Sequence, residues 1–258
     1  MKKVILYCLF FYWSLGEANL YKHQEKLSKS IEPQKFHLFE TDYAKISGSA
    51  QIALNNLSFF SLDSFHDRVI IIDLRREFHG FSEGNPISWM LESDAYAPNS
   101  FQYNFDIPRL LLEDNEKEFL KRQETLSEHE LLLNSKLPIQ YIRIPVTDHH
   151  HPEANEVDFF VELVKTLSKS DWIHLHCAGG KGRTTTFMCI VDMIYHSHLL
   201  SAKEIIQRQY AIGGSNLFDI KDIPSQERFT FLCLFHQYCL ANAQSPENWS
   251  SWIQRQKN

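Results

Sequence analysis

His176-Cys177-Ala178-Gly179-Gly180-Lys181-Gly182-Arg183-Thr184 is the stretch from which the rest of the chain is read. An apolar run, Trp172 to Leu175, precedes it, and a helical pattern through Phe187, Ile190, Val191 and Ile194 follows it. The order is strand, glycine-rich turn, helix, and that order makes an anion site. Glycines let consecutive backbone N–H groups turn toward one point, and the helix N-terminus adds a partial positive charge. A cysteine facing such a site ionises more readily, because the same field stabilises its thiolate. Arg183 closes the loop with a planar fork that can hold two oxygens of a phosphate at once. Thr184 can bond the Cys177 sulfur and help it leave in a second step. Cys177, Arg183 and Thr184 are therefore candidate catalytic residues, with His176 as support directly before the nucleophile. Ala178, Gly179, Gly180, Lys181 and Gly182 form the candidate phosphate cradle. A buried structural cysteine beside a glycine turn is the plainer alternative. A nucleotide-binding loop does not fit, because Lys181 precedes Gly182, whereas that motif needs Gly-Lys-Ser/Thr.

The chain has 258 residues and a formal net charge of −6. Its length suits one ample core. An acidic protein does not suggest nucleic acid as a partner, and a phosphorylated substrate would need basic residues gathered locally. Met1 to about Ala18 reads as a signal peptide: Lys2-Lys3, an apolar stretch from Val4 to Leu15, then the small residues of Gly16-Glu17-Ala18. Export to the periplasm or outside the cell is expected, with residues 19–258 as the mature domain. No other segment reads as transmembrane. Cys8, Cys177, Cys189, Cys233 and Cys239 lack the spacing of a disulfide framework.

Val69-Ile-Ile-Ile72 reads as a buried strand, Ile142, Ile144 and Val146 as a half-buried one, and Trp172–Leu175 as a third. Val157, Phe160, Val161, Val164 and Leu167 form a helical stripe between the second and third. Ser201 with Glu204 makes a capping box, and Pro224 opens a final helix. Strands alternating with helices imply an α/β sheet covered by helices. Residues 91–136 are polar, with a helix expected near Leu110 to Leu126, and read as an insertion. Asp148 lies in a loop after a strand and is the candidate proton donor, with a helix cap as its alternative role. In His149-His150-His151, three adjacent histidines point in different directions, and no metal site is expected there.

The loop and its surroundings resemble the cysteine-dependent phosphatases of the protein tyrosine phosphatase superfamily. They are most similar to the bacterial tyrosine-phosphatase-like inositol phosphatases, the cysteine phytases. Asp73-Leu-Arg75-Arg-Glu77-Phe-His79-Gly80 with Ile87-Ser88-Trp89, Thr147-Asp148-His149-His150-His151-Pro152, Arg208-Gln209 with Ile212-Gly213-Gly214, and Trp249-Ser-Ser-Trp252 carry the similarity from about Ile46 to Trp252. The resemblance implies a tyrosine-phosphatase-like fold with helices on both faces of a central sheet. It also implies Asp148 as general acid. Substrate contacts implied are Asp73, His149, Lys221, Arg228 and His37, with His37 standing where the family carries an arginine. His150 and His151 are expected to be exposed. Lys181 departs from the family's apolar residue, and similar lysines occur in phosphoinositide phosphatases of the superfamily.

The expected activity is hydrolysis of myo-inositol hexakisphosphate and lower inositol phosphates through a phosphocysteine, with no cofactor. A protein tyrosine or phosphoinositide phosphatase, and a binding module without turnover, remain open at this point. Oligomeric state is not legible.

Overall fold

The computed structural model describes residues 20–24, 31–61, 68–91, 120–121, 125–243 and 246–256. The segment read as a signal peptide lies outside these residues, as does most of the helix expected over 110–126. The chain divides into two units, one of residues 1–27 and 77–128, the other of residues 28–76 and 129–258.

The larger unit is built on a five-stranded sheet in the order β2-β3-β8-β4-β7. The strands are β2 (His37–Glu40), β3 (Lys45–Ser49), β4 (Arg68–Arg75), β7 (Ile139–Val146) and β8 (Asp171–His176). All neighbours are parallel except β2, which pairs antiparallel at one edge. The three strands expected from the sequence are β4, β7 and β8. β8 lies in the middle, and all of its residues are buried.

Alternation along β8 sorts its side chains by face. Ile173 and Leu175 join Ile70, Ile72 and Leu74 of β4 in one apolar layer. That layer packs under the helices α3 (Ala154–Lys165), α4 (Gly182–His196), α5 (Ala202–Ala211), α6 (Ile223–Asn242) and α7 (Trp249–Gln256). Pro224 does open a helix, but it is not the last: Trp249 and Trp252 lie on α7 and stack against each other in the core. The opposite face carries Trp172 and His174. Here α1 (Leu57–Ser61) contributes Phe60 against both rings. On the same face α2 (Glu128–Ser135) stacks His129 on Tyr141 of β7. Helices thus cover both faces.

His174 is fully buried, and burial holds its pKa well below the ordinary value, so it is neutral. A neutral imidazole has one donor and one acceptor, and both ring nitrogens lie 2.9 Å from serines of β3, Ser47 and Ser49. The helix α4 is apolar around most of its circumference because it is enclosed, with Phe187, Met188, Ile190 and Val191 all buried. Its buried Asp192 accepts from Arg208 Nε at 2.9 Å and Gln209 Nε2 at 2.8 Å, and His196 Nδ1 lies 3.0 Å away. The Arg208-Gln209 pair therefore serves to compensate a carboxylate that could not otherwise be buried.

The smaller unit is a three-stranded antiparallel sheet in the order β1 (Leu20–Gln24), β6 (Asn85–Leu91), β5 (His79–Ser82). Its two-residue hairpin turn, Glu83-Gly84, has positive φ at both positions, as the twist of a tight hairpin requires. Besides residues 1–27 this unit takes in residues 77–128, a stretch that starts earlier in the chain than the insertion expected over 91–136.

The first turn of α3 holds an ionisation that bears on stability. Glu156 caps the Glu153 N–H at 2.8 Å, yet burial, with the neighbouring Glu153, pushes its pKa up to about 7. The folded state binds this proton more tightly than the unfolded chain. Its contribution is therefore complete below the ordinary value of 4.5 and is lost as pH rises through about 7. Glu156→Gln keeps the capping oxygen without the charge. It should raise stability by about 1–3 kcal/mol near pH 8 and change little near pH 4. Thermal melts that coincide near pH 8 would show that the carboxylate is not held this way.

Candidate active site

Cys177 follows the last residue of β8, and α4 begins at Gly182, so the turn between them sits at the C-terminal end of a parallel sheet, where open α/β sheets bind ligands. The turn is pressed against the chain leaving β3. Gly180 has φ +59, and a Cβ there would lie 2.3 Å from the Ala50 nitrogen and 2.5 Å from the Ser49 carbonyl carbon. Only glycine satisfies both the backbone angle and the approach. The Gln51 N–H donates to the Ala178 carbonyl at 3.1 Å, tying the other side of the turn to the same segment.

Within this cradle Thr184 Oγ1 donates to Cys177 Sγ at 3.2 Å. Cys177 is 3% exposed. Burial raises the pKa of Cys189, Cys233 and Cys239, the last to about 12, which keeps these thiols protonated. Arg183 is 2% exposed. Its Nη1 donates to the carbonyls of Val146 at 3.1 Å and Leu74 at 3.4 Å, at the ends of β7 and β4. Its Nη2 lies 3.1 Å from Asp148 Oδ1. Strand ends thus aim the guanidinium, and the guanidinium meets the candidate acid.

Asp148 occupies a turn, Thr147 to His150, closed by the His150 N–H on the Thr147 carbonyl at 3.2 Å. His149 in this turn has φ +64, and its ring Nε2 lies 3.6 Å from Asp148 Oδ2. His150 and His151 are half-buried rather than exposed. The His151 ring stacks on Phe231 of α6, with centroids 5.3 Å apart.

The remaining expected residues separate. Arg228, on α6, is 8% exposed and comes to the cradle: its Nη2 donates to the His149 carbonyl, and at 3.5 Å to that of His150. Burial is the largest influence lowering its pKa, and Arg183 adds to it, while Asp148 and Cys177 act in the opposite direction. Lys221 stands at the surface, its side chain 81% exposed, 2.8 Å from Asp219. Asp73 is fully buried and accepts from Tyr141 Oη at 2.9 Å and from the Arg75 N–H at 2.9 Å. Arg143 Nε approaches it at 3.4 Å. Asp73, expected as a substrate contact, here faces the basic group of Arg143 from inside the sheet. His37 is buried and neutral, its pKa lowered by burial, and its Nδ1–H donates to the Lys35 carbonyl at 2.9 Å. His176 is buried at the end of β8.

Two residues at the cradle went unnoticed in the sequence. Lys35 donates to the Gly179 carbonyl at 3.1 Å, and its pKa is lowered by burial and by the nearby Lys181 ammonium. Gln51 accepts from Arg75 Nη1 at 2.7 Å while its backbone holds Ala178. Both lie more than a hundred positions from the motif, and the only local sign is the turn at Pro33–Phe36, where Lys35 has φ +54.

A cysteine at a strand end, a glycine cradle, a fixed arginine and a carboxylate against it define a cysteine-dependent phosphatase site on a tyrosine-phosphatase-like fold. A family model described as PTP-like phytase, inositol hexakisphosphate, matches residues 105–195. The solved PTP-like phytase of Bdellovibrio bacteriovorus is 28% identical, with TM-score 0.75 over 91% of this chain and 95% of that one. The PTP-like myo-inositol phosphatase of Mitsuokella multacida, solved with myo-inositol-(1,3,4,5)-tetrakisphosphate, shares the fold at TM-score 0.78 and 23% identity, over 94% of this chain and 48% of that one. The effector protein HopD2 of Pseudomonas syringae pv. tomato is 31% identical over 142 residues, 52% of this chain, and the match spans 30% of HopD2. The chain is similar to the protein-tyrosine-phosphatase-like inositol phosphatases, by the family model over residues 105–195 and by the fold along most of its length.

The cradle geometry makes two neighbouring glycines unequal. Gly180→Ala should cost about 2–4 kcal/mol of stability and lower phosphatase turnover at least about tenfold. A Cβ at Gly179 would meet nothing nearer than Lys181 carbons at 3.9 Å, so Gly179→Ala should be tolerated. Equal melting temperatures and turnover for the two variants would refute this packing.

Proposed function

We propose that this protein is a cysteine-dependent phosphomonoesterase that removes phosphates from myo-inositol hexakisphosphate and lower inositol phosphates. The observation that carries the chemistry is the convergence of Cys177, Arg183 and Asp148 at the ends of β8, β4 and β7. The Cys177 thiolate attacks phosphorus, the phosphorus–oxygen bond to the inositol breaks, and Asp148 gives its proton to the departing alkoxide. Arg183 and the cradle N–H groups hold the three non-bridging oxygens, where transition-state charge is spread. In the second step Asp148 takes a proton from water as the water oxygen bonds to phosphorus. The sulfur–phosphorus bond breaks, phosphate leaves, and the thiolate returns under the Thr184 hydroxyl.

The lysines at the rim support the substrate class. Lys35 and Lys181 lie close enough to oppose each other's charge, beside the cradle, and among the described residues neither has a carboxylate partner. Two like charges held together at the edge of a phosphate site are suited to a second phosphate on the same molecule. An inositol ring with adjacent phosphates supplies one, and a phosphotyrosine peptide does not. The family and the Bdellovibrio phytase favour the same reading over a tyrosine phosphatase or a binding module. Export is proposed as well, on the pattern of Lys2-Lys3 and Val4–Leu15. Among the described residues no helix is long and apolar enough to cross a membrane.

Phosphate release by wild type and Cys177→Ser, on inositol hexakisphosphate and a phosphotyrosine peptide side by side, tests this function. Turnover of the inositol phosphate should dominate and vanish in Cys177→Ser. Turnover of the peptide alone would discard the substrate, and turnover unaltered in Cys177→Ser would discard the mechanism. In a second assay, Lys35→Met/Lys181→Met should lower kcat/KM on inositol hexakisphosphate about tenfold to a hundredfold. The loss on a simple aryl phosphate should be smaller. Equal losses on both would contradict a second phosphate contact.

A further inference from the structure

Arg228 touches the acid-bearing turn itself. Its guanidinium donates to two consecutive carbonyls, those of His149 and His150, immediately after Asp148. The turn needs such a partner. His149 holds a left-handed backbone conformation that an L residue keeps only where its surroundings fix it. The Asp148 side chain is 41% exposed, so its own packing does little to hold the turn. Arg228, by contrast, projects from the twenty-residue helix α6 and is buried.

The other side of the same guanidinium rests on the cradle. A Cβ on Gly182, the first residue of α4, would lie 2.7 Å from Arg228 Nη1. Glycine at 182 is therefore what admits the guanidinium between cradle and turn. One rigid, planar group contacts both the loop that binds phosphate and the loop that carries the proton. The fork sets Nη2 on both carbonyls while Nη1 lies against Gly182, and a lysine ammonium cannot occupy both places at once.

We propose that Arg228 is the positioning residue of the general acid: it latches the Thr147–His150 turn so that Asp148 meets the leaving oxygen. The proposal rests on the reading of this site as a phosphatase. The rival role is a direct charge contact with substrate phosphate, and the two roles differ in one respect. A latch acts through proton donation, so its loss matters in proportion to how much the leaving group needs a proton. A contact with the transferred phosphate matters equally for every ester, and a contact with a second phosphate of the inositol keeps its full effect in an Asp148→Asn background, where a latch has nothing left to position.

The test compares wild type, Arg228→Lys, Arg228→Gln and Arg228→Met on inositol hexakisphosphate and on 2,4-dinitrophenyl phosphate, whose leaving group departs without a proton. Arg228→Gln and Arg228→Met should lose about a hundredfold in kcat on the inositol substrate and less than about tenfold on the aryl ester. The order should be Lys, then Gln, then Met, since each step removes donors to the two carbonyls. In an Asp148→Asn background, Arg228→Gln should add little further loss on the inositol substrate, because both changes remove the same step. Turnover of the aryl ester reports that the cradle of each variant is folded. Equal losses on the two esters, or full additivity with Asp148→Asn, would overturn the latch while leaving the phosphatase reading intact. A wild type that hydrolyses neither ester would instead remove the phosphatase reading, and the latch with it.

Discussion

The contact on which the site depends is the one between the Arg183 guanidinium and the carbonyls that end β4 and β7. A free arginine side chain would have to be ordered on every encounter with substrate, at a considerable entropy cost. Here the strand ends order it during folding. The carbonyls of Leu74 and Val146 fix its direction, burial removes competing water, and what remains of its fork meets Asp148. The sheet register that brings β4 and β7 side by side is thus also the register that aims the phosphate ligand. Preorganisation of this kind costs nothing at the moment of reaction, which is why it contributes strongly to transition-state stabilisation.

The rest of the fold can be understood as protection for that arrangement. β8 delivers Cys177 from the centre of the sheet, with its neutral His174 bridging two serines of β3. Helix α4 is enclosed, so its first turn cannot drift, and Asp192 anchors it to α5 through Arg208 and Gln209. Charge is arranged with the same economy. The chain is acidic overall, with net charge −6, while Lys35, Lys181, Arg183 and Arg228 gather about one turn of backbone. Local field rather than net charge governs an anion site.

Much of this was legible in the sequence, because the informative contacts there are short-range. Cys177 to Thr184 specify the cradle within one turn and one helix start. The apolar runs at Val69–Ile72, Ile142–Val146 and Trp172–Leu175 locate three strands of the central sheet, and Ser201 with Glu204 marks a helix start that the structure places at Ala202. What stayed hidden depends on contacts between distant segments. Lys35 reaches the cradle only because β2 and β3 return beside β8, and nothing in its neighbours announces this. Lys221 and Arg228 looked equivalent as two basic residues seven apart, yet one points to solvent beside Asp219 and the other lies buried between two loops. His37 occupied a family position but turned inward, where burial leaves it neutral. Helical spacing alone could not separate these cases, because tertiary contacts decide them.

Covalent phosphoryl transfer to Cys177 leaves an intermediate that can be trapped. Asp148→Asn protein, slowed in the second step, would be mixed with 2,4-dinitrophenyl phosphate carrying labelled phosphate, whose leaving group departs without the acid, and quenched within a turnover. The label would then be located by peptide mass spectrometry. Labelled phosphate is expected on the Cys177 peptide, at a level approaching one per chain. Phosphate on another residue, or turnover that leaves no phosphate on the protein, would contradict it.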